Sequence, residues 1–160
     1  AFAEAAAHAT LGYQRGPLEV DAHLRRYTTE LGIYRGSHFG NARNLEAIIE
    51  RGGVIGAALD AWMIYPGWIK GETQPEVVSL DDLVDHVVHI CELAGNAEHV
   101  GIGSDLDGGY GNEQTPHDLG TIADLQKLAP LLSARGFGDD DVERFMRGNW
   151  VRFFSQHLPA

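Results

Sequence analysis

The sequence predicts an α/β fold built on a parallel sheet, and three observations carry that expectation. Two short apolar runs, Val-Ile-Gly-Ala-Ala-Leu at 54–59 and His-Val-Gly-Ile-Gly-Ser at 99–104, show no polar alternation. Runs of this kind suit strands buried on both faces of a parallel sheet. Helical periodicity lies before, between and after them, giving the order helix, strand, helix, strand, helix that builds βα units. Many of the 20 glycines fall directly after the apolar runs, where strand-to-loop and loop-to-helix turns are expected.

The opening residues 1–9 lack a basic start and carry Glu4 and His8. They read as a helix, or as the cut end of a longer chain, rather than as a secretory leader. Residues 2–13 are rich in good helix formers, and Gly16-Pro17 breaks the chain. Leu18, Ala22, Leu24, Tyr27 and Leu31 are spaced as a buried stripe, so 18–31 reads as an amphipathic helix stopped at Gly32. Residues 33–44 read as a polar, Gly-rich loop. A short helix over 44–51 ends at Gly52-Gly53. After the first strand, residues 60–75 read as an aromatic loop. Ser79 and Asp82 form a capping box for a helix whose Leu80, Leu83, Val84, Val87, Cys91 and Ala94 share a face, with Gly95-Asn96 as its stop. A second Gly-rich loop runs from the second strand to Pro116. Residues 121–134 are amphipathic, with Pro130 marking a kink or a new first turn. Residues 139–146 and 150–157 form two closing helices.

A chain of 160 residues is one domain's worth and long enough to bury a core. Its 44% hydrophobic and 22% charged residues are ordinary for a soluble globular protein. No stretch approaches the ~20 apolar residues of a membrane span, so no membrane partner is expected. Lys and Arg total 12 against 23 Asp and Glu, a net charge of −11. That field repels nucleic acid. Cys91 is the single cysteine; it falls on an apolar helical face and reads as a core thiol rather than a nucleophile. Cysteine usage of this kind fits a cytoplasmic protein.

In parallel α/β folds chemistry lies at the carboxyl ends of strands, which singles out residues 60–68 and 105–109. Asp105 and Asp107 lie two apart. On an extended chain both carboxylates point the same way, which suits a cation or an acid–base pair; an Asx turn capping the loop fits the same residues. His38, between Gly36 and Gly40, is either a metal ligand or a solvated loop histidine. His86 and His89, three apart on a helix, approach zinc-site spacing but lack the His-Glu-x-x-His context, and packing is the better reading. His8, His99, His117 and His157 have no partner pattern. His23 belongs to a His-x-Arg word where a barrel hydrolase would have His-x-Asp, and a guanidinium cannot ligate a cation. Trp62, Tyr65 and Trp68 either line a pocket or cap the core.

From Arg43 onward the chain resembles the membrane dipeptidase family of zinc peptidases, bacterial branch. The matching words are Ser37-His38, Arg43-Asn44-Leu45, Glu50 to Gly56, Asp82 to His86, His99 to Gly109 and Gly148 to Phe154. Ala57 to Met63 and Glu113 to Pro116 add to them, and together they cover about three-quarters of the chain. The resemblance implies a (β/α)8 TIM barrel of the metal-dependent hydrolase type with two zinc ions at its mouth, acting on dipeptides through a metal-bound hydroxide. It implies His38 as a zinc ligand, Arg43 as the grip on the substrate carboxylate, and Asp105 as the catalytic aspartate that also engages the substrate amine. A full barrel needs ~250 residues, so the expectation is a single domain over 1–160 representing the C-terminal part of such a barrel, with 1–35 poorly matched. The family's opening His-x-Asp, bridging glutamate and further ligand histidine have no counterparts in these words.

Two other classes compete. An Asp-x-Asp-Gly word after an apolar strand also resembles the nucleophile loop of haloacid-dehalogenase-type phosphatases, with Lys127 as a phosphate partner. A non-enzymatic half-barrel or interaction module is the third reading. A half-barrel exposes sheet edges, so association into a homo-oligomer is expected.

Overall fold

The two apolar runs form adjacent parallel strands, β1 (Ile55–Ala58) and β2 (Val100–Ser104), in register from Ile55↔Val100 to Ala58↔Ser104 with one irregularity after Ala57. The computed structural model describes residues 42–65 and 67–159, and of Ala42 and Arg43 the backbone alone. The helices expected over 2–13 and 18–31, and the loop carrying His38, lie outside the described residues.

Helix α1 (Ala42–Ile49) precedes β1 and begins two residues earlier than its pattern predicts. It stops where Gly52 takes φ 71 and donates to the Ile49 carbonyl at 2.9 Å, with Gly53 donating to Ile48 at 2.9 Å. Left-handed backbone costs glycine little and any other residue more.

The segment after β1 differs from the expected loop. Asp60 accepts the Trp62 amide at 3.2 Å and starts a one-turn helix, α2 (Ala61–Ile64). An N-cap placed directly at a strand end leaves no sequence gap between the two elements, so the aromatic composition concealed the turn. Tyr65 and Trp68 pack against the core, whereas Trp62 is exposed.

Helix α3 (Leu80–Ala94) returns the chain to β2, as parallel pairing requires. Its capping box is formed as expected: Ser79 Oγ accepts the Asp82 amide, and the Asp82 carboxylate accepts the Ser79 amide at 2.7 Å. Gly95 ends it at φ 72. Leu80, Leu83, Val84, Val87 and Cys91 bury one face against Leu59 and Val100. Fully burying each aliphatic side chain stabilises by about 1.5–3 kcal/mol. Arg135 pairs with both Asp81, at 2.6 Å, and Asp85, tying the far end of the chain to α3.

The expected 121–134 helix is two elements. A 3-10 stretch, Ile122–Lys127, passes into α4 (Leu128–Ala134). Pro130 lies in the first turn of α4, where its missing N–H is not needed. The two closing helices are in fact one run: α5 (Asp139–Glu143) continues through a π turn (Arg144–Gly148) into α6 (Asn149–His157). The Asn149 amide donates five residues back to Arg144, which re-phases the helix. That shift buries Asn149 and lays Trp150 against β2.

Candidate functional site

Parallel strands bring their carboxyl ends to one edge, and each strand here ends on an aspartate. Leu59-Asp60 follows β1 and Asp105 follows β2. The Leu59 amide donates to the Ser104 carbonyl at 2.9 Å, so the two exits are bonded to each other. Ser104 and Asp105 both have positive φ, 44° and 62°. For residues with a Cβ this costs on the order of 1–3 kcal/mol each, and such strain persists only when its surroundings hold it.

The extended geometry expected for Asp105 and Asp107 is therefore corrected. Asp105 donates its amide to the Gly103 carbonyl at 2.7 Å, and Gly108 donates to the Asp105 carbonyl at 3.0 Å. The chain turns, Asp107 is exposed, and the two carboxylates no longer share a strand face. A Cβ on Gly108 would stand 3.0 Å from Asp105 Oδ1 and from the Asp105 carbonyl, so glycine lets this turn close.

Asp60 is 4% exposed. Both its oxygens accept Gln114 Nε2, each at 2.9 Å. Burial raises its pKa above the usual carboxylate value and the Asp105 charge adds to that rise, while the Gln114 and Trp62 bonds oppose it. Tyr110 lies in the same field. Burial, and then the charges of Asp60, Asp105 and Asp107, push its phenol up to about 12, so it stays protonated at neutral pH. Its hydroxyl is buried and without a hydrogen-bond partner among the described residues.

Beside Asp105 a cleft of about 540 Å³ opens on the sheet. Gly56, Ala58 and Gly103 floor it, and Trp150 and Phe154, stacked at 5.6 Å, wall it. A Cβ on Gly103 would stand 2.8 Å from the Gly56 backbone, so side chains are excluded from the floor and the cleft stays open. Trp150 Nε1 donates to the Ile102 carbonyl at 2.9 Å, which fixes the wall.

The remaining candidates divide plainly. Arg43 lies within α1, and His38 is outside the described residues. His86 and His89 lie on α3, His86 against the Ile64 backbone, and burial lowers both pKa values, that of His86 to about 4. His99, His117 and His157 each bond a backbone carbonyl through Nδ1, as packing groups do. The Cys91 thiol is buried and pushed up to about 12, which removes it as a nucleophile. Lys127 commits its ammonium to Asp124 and the Asp118 carbonyl, both at 2.7 Å, which takes away the phosphate partner of the phosphatase reading. Asp60, Gln114 and Tyr110 were not singled out from the sequence. Asp60 carried a usable signal, since it follows an apolar strand as Asp105 does. Gln114 carried none, because its partner lies 54 residues away.

Among the described residues no group of three or more His, Cys, Asp or Glu side chains could hold a metal ion. Both Asp60 oxygens are already bonded to an amide. These residues therefore do not by themselves fit the two-zinc centre that the resemblance implies.

The two strands thus place aspartates at their carboxyl ends, the edge at which α/β folds carry their chemistry. Residues 41–158 match the membrane dipeptidase family, peptidase family M19, and the chain belongs to it. It is 30% identical over 111 residues to a Klebsiella pneumoniae protein described as an uncharacterized protein in the pqqA 5′ region, covering 69% of this chain and 37% of that one. It is 31% identical over 88 residues to the dipeptidase tcpJ of Claviceps purpurea, covering 53% of this chain and 19% of that one. The solved structure of the metallopeptidase dipeptidase AC superposes with a TM-score of 0.61 at 22% identity, over 75% of this chain and 33% of that one. The chain thus spans about a third or less of the length of these relatives.

Proposed function

We propose that this chain is the C-terminal part of a zinc-dependent dipeptidase with a (β/α)8 barrel, in which Asp105 is the catalytic aspartate. The observation that carries this reading is the Asp105 turn: a strained, strand-end carboxylate beside an open cleft, in a chain of the membrane dipeptidase family. Asp105 receives the ammonium group of a dipeptide by a charge-assisted hydrogen bond. Arg43 grips the substrate carboxylate through its planar fork, and the protonated Tyr110 phenol supplies a donor beside the carboxylates. His38, with donors that the described residues do not supply, would hold zinc, which would contribute water activation and charge neutralisation. The non-enzymatic reading keeps one observation in its favour, the absence of a metal-capable group among the described residues.

Metal analysis and dipeptide hydrolysis by the 160-residue chain, and by the longer protein if it is a piece of one, test this. Two zinc ions per active site with turnover are expected. Asp105→Asn should lower kcat by orders of magnitude with the fold retained, and Arg43→Lys should chiefly raise KM. Unchanged kinetics in both variants would remove these residues from the site. A cytoplasmic location for this chain, expected from its single cysteine, is a proposal as well; among the described residues no helix is long and apolar enough to cross a membrane.

A further inference from the structure

The loop from Asp105 to Gln114 is fastened at both ends to two consecutive residues of the β1 exit. At its start the Leu59 amide holds the Ser104 carbonyl at 2.9 Å. At its end the Asp60 carboxylate holds the Gln114 amide with both oxygens at 2.9 Å. Asp60 and Gln114 are 4% and 6% exposed, so water competes little for either group. Aspartate enters left-handed backbone more readily than most residues, but Ser104 beside it does so at a cost, and neither residue is glycine. The short Asp105–Gly103 and Asp105–Gly108 bonds describe the turn but move with it. Beyond the strand pairing that ends at Ser104, the long-range hydrogen bonds from this loop to the β1 exit are, among the described residues, those of residues 59 and 60.

We propose that Asp60 is a positioning residue: its bond to Gln114 closes the 105–114 loop against the mouth of β1 and so holds Asp105 in its strained turn beside the cleft. The proposal rests on the peptidase reading only for what Asp105 does once placed. A carboxylate suits the task because a single group accepts from the Gln114 amide while also capping α2 through the Trp62 amide. Burying it raises its pKa, a cost that a purely structural cap on an exposed helix would avoid.

The test is a bond-reversal cycle read in two ways. In the 160-residue chain, hydrogen exchange by mass spectrometry over residues 104–114 is compared for wild type, Gln114→Ala, Gln114→Glu and the double variant Asp60→Asn/Gln114→Glu. The double variant restores the hydrogen bond with donor and acceptor exchanged. Gln114→Ala, which removes the donor, and Gln114→Glu, which sets two carboxylates against each other, should exchange at least tenfold faster in this loop, with α3 protection unchanged, and the double variant should return to within about threefold of wild type. Dipeptide turnover of the same variants should show kcat falling at least tenfold with KM within threefold, and recovery in the double variant. Gln114→Ala leaves the Asp60 cap of α2 intact, so it carries the test if an Asp60 variant fails to fold. Folded variants with wild-type loop exchange would overturn the proposal, as would a double variant no better protected than either single one. If neither the chain nor a longer protein containing it shows turnover, the peptidase reading falls, while the exchange data still decide the positioning role.

Discussion

His86 shows how a single buried side chain sets the acid limit of this fold. Burial holds its pKa at about 4, against an ordinary value of 6.5. The native state therefore keeps it neutral while the unfolded chain takes a proton. For a base depressed in this way, stability is full above pH 6.5 and is lost as pH falls toward 4. The loss from this group is on the order of 3 kcal/mol. Asp60 acts with the opposite sign, because a raised carboxylate favours the folded state as pH falls. Urea denaturation between pH 7 and 4 should show His86→Gln losing markedly less stability than wild type over this window. Parallel pH curves for the two would assign the acid sensitivity elsewhere. The pattern 80–94 already placed His86 on a mostly apolar helix. That the Ile64 backbone of the preceding short helix covers it is not written in that pattern.

At the scale of elements, the final helical run is what closes β2. Ile55 donates to the His99 carbonyl at 2.8 Å, so carbonyls alternate along the strand and those of Val100 and Ile102 point away from β1. Asn149 Nδ2 takes the Val100 carbonyl at 2.8 Å and the Ala97 carbonyl at 2.7 Å, and Trp150 Nε1 takes that of Ile102. Side chains of α6 thus satisfy backbone groups that a neighbouring strand would otherwise serve. The π turn makes this possible by turning Asn149 and Trp150 toward the strand. Replacing Asn149 with Leu leaves two buried carbonyls unpaired and should cost about 3 kcal/mol. Equilibrium unfolding with an unchanged m-value would measure it, and a loss below about 1 kcal/mol would show that water reaches these carbonyls. The residues 139–157 announced helix, but not that it runs unbroken, since a π turn has no distinct residue signature.

For the whole molecule, the described residues make a two-stranded sheet covered by α3, with an apolar floor left open beside Asp105. On α6 the exposed Val151, Phe154 and Leu158 lie three and four residues apart and so share a face. Such surface is costly to leave in water. We expect the 160-residue chain to self-associate, as proposed from its open sheet edges. The net charge of −11 opposes association at low salt, so raising ionic strength should promote it. Light scattering should give a mass above that of one chain at micromolar concentration, with Phe154→Glu shifting it toward the monomer. A monomer mass independent of concentration and salt would refute the expectation.

The sequence by itself determined both strands, their parallel class, α3 with its two caps, and the family to which residues 41–158 belong. These depend on periodicity, capping chemistry and motif words, which are local. It also marked Asp105, because a carboxylate directly after a buried strand is visible in one dimension. Only the tertiary structure decided that Asp105 turns left-handed, that Asp107 is exposed, and that Asp60 and Gln114 meet across 54 positions. Hydrogen bonds between residues distant in the chain carry no local pattern. They exist because parallel pairing of β1 and β2 brings both strand exits to one edge.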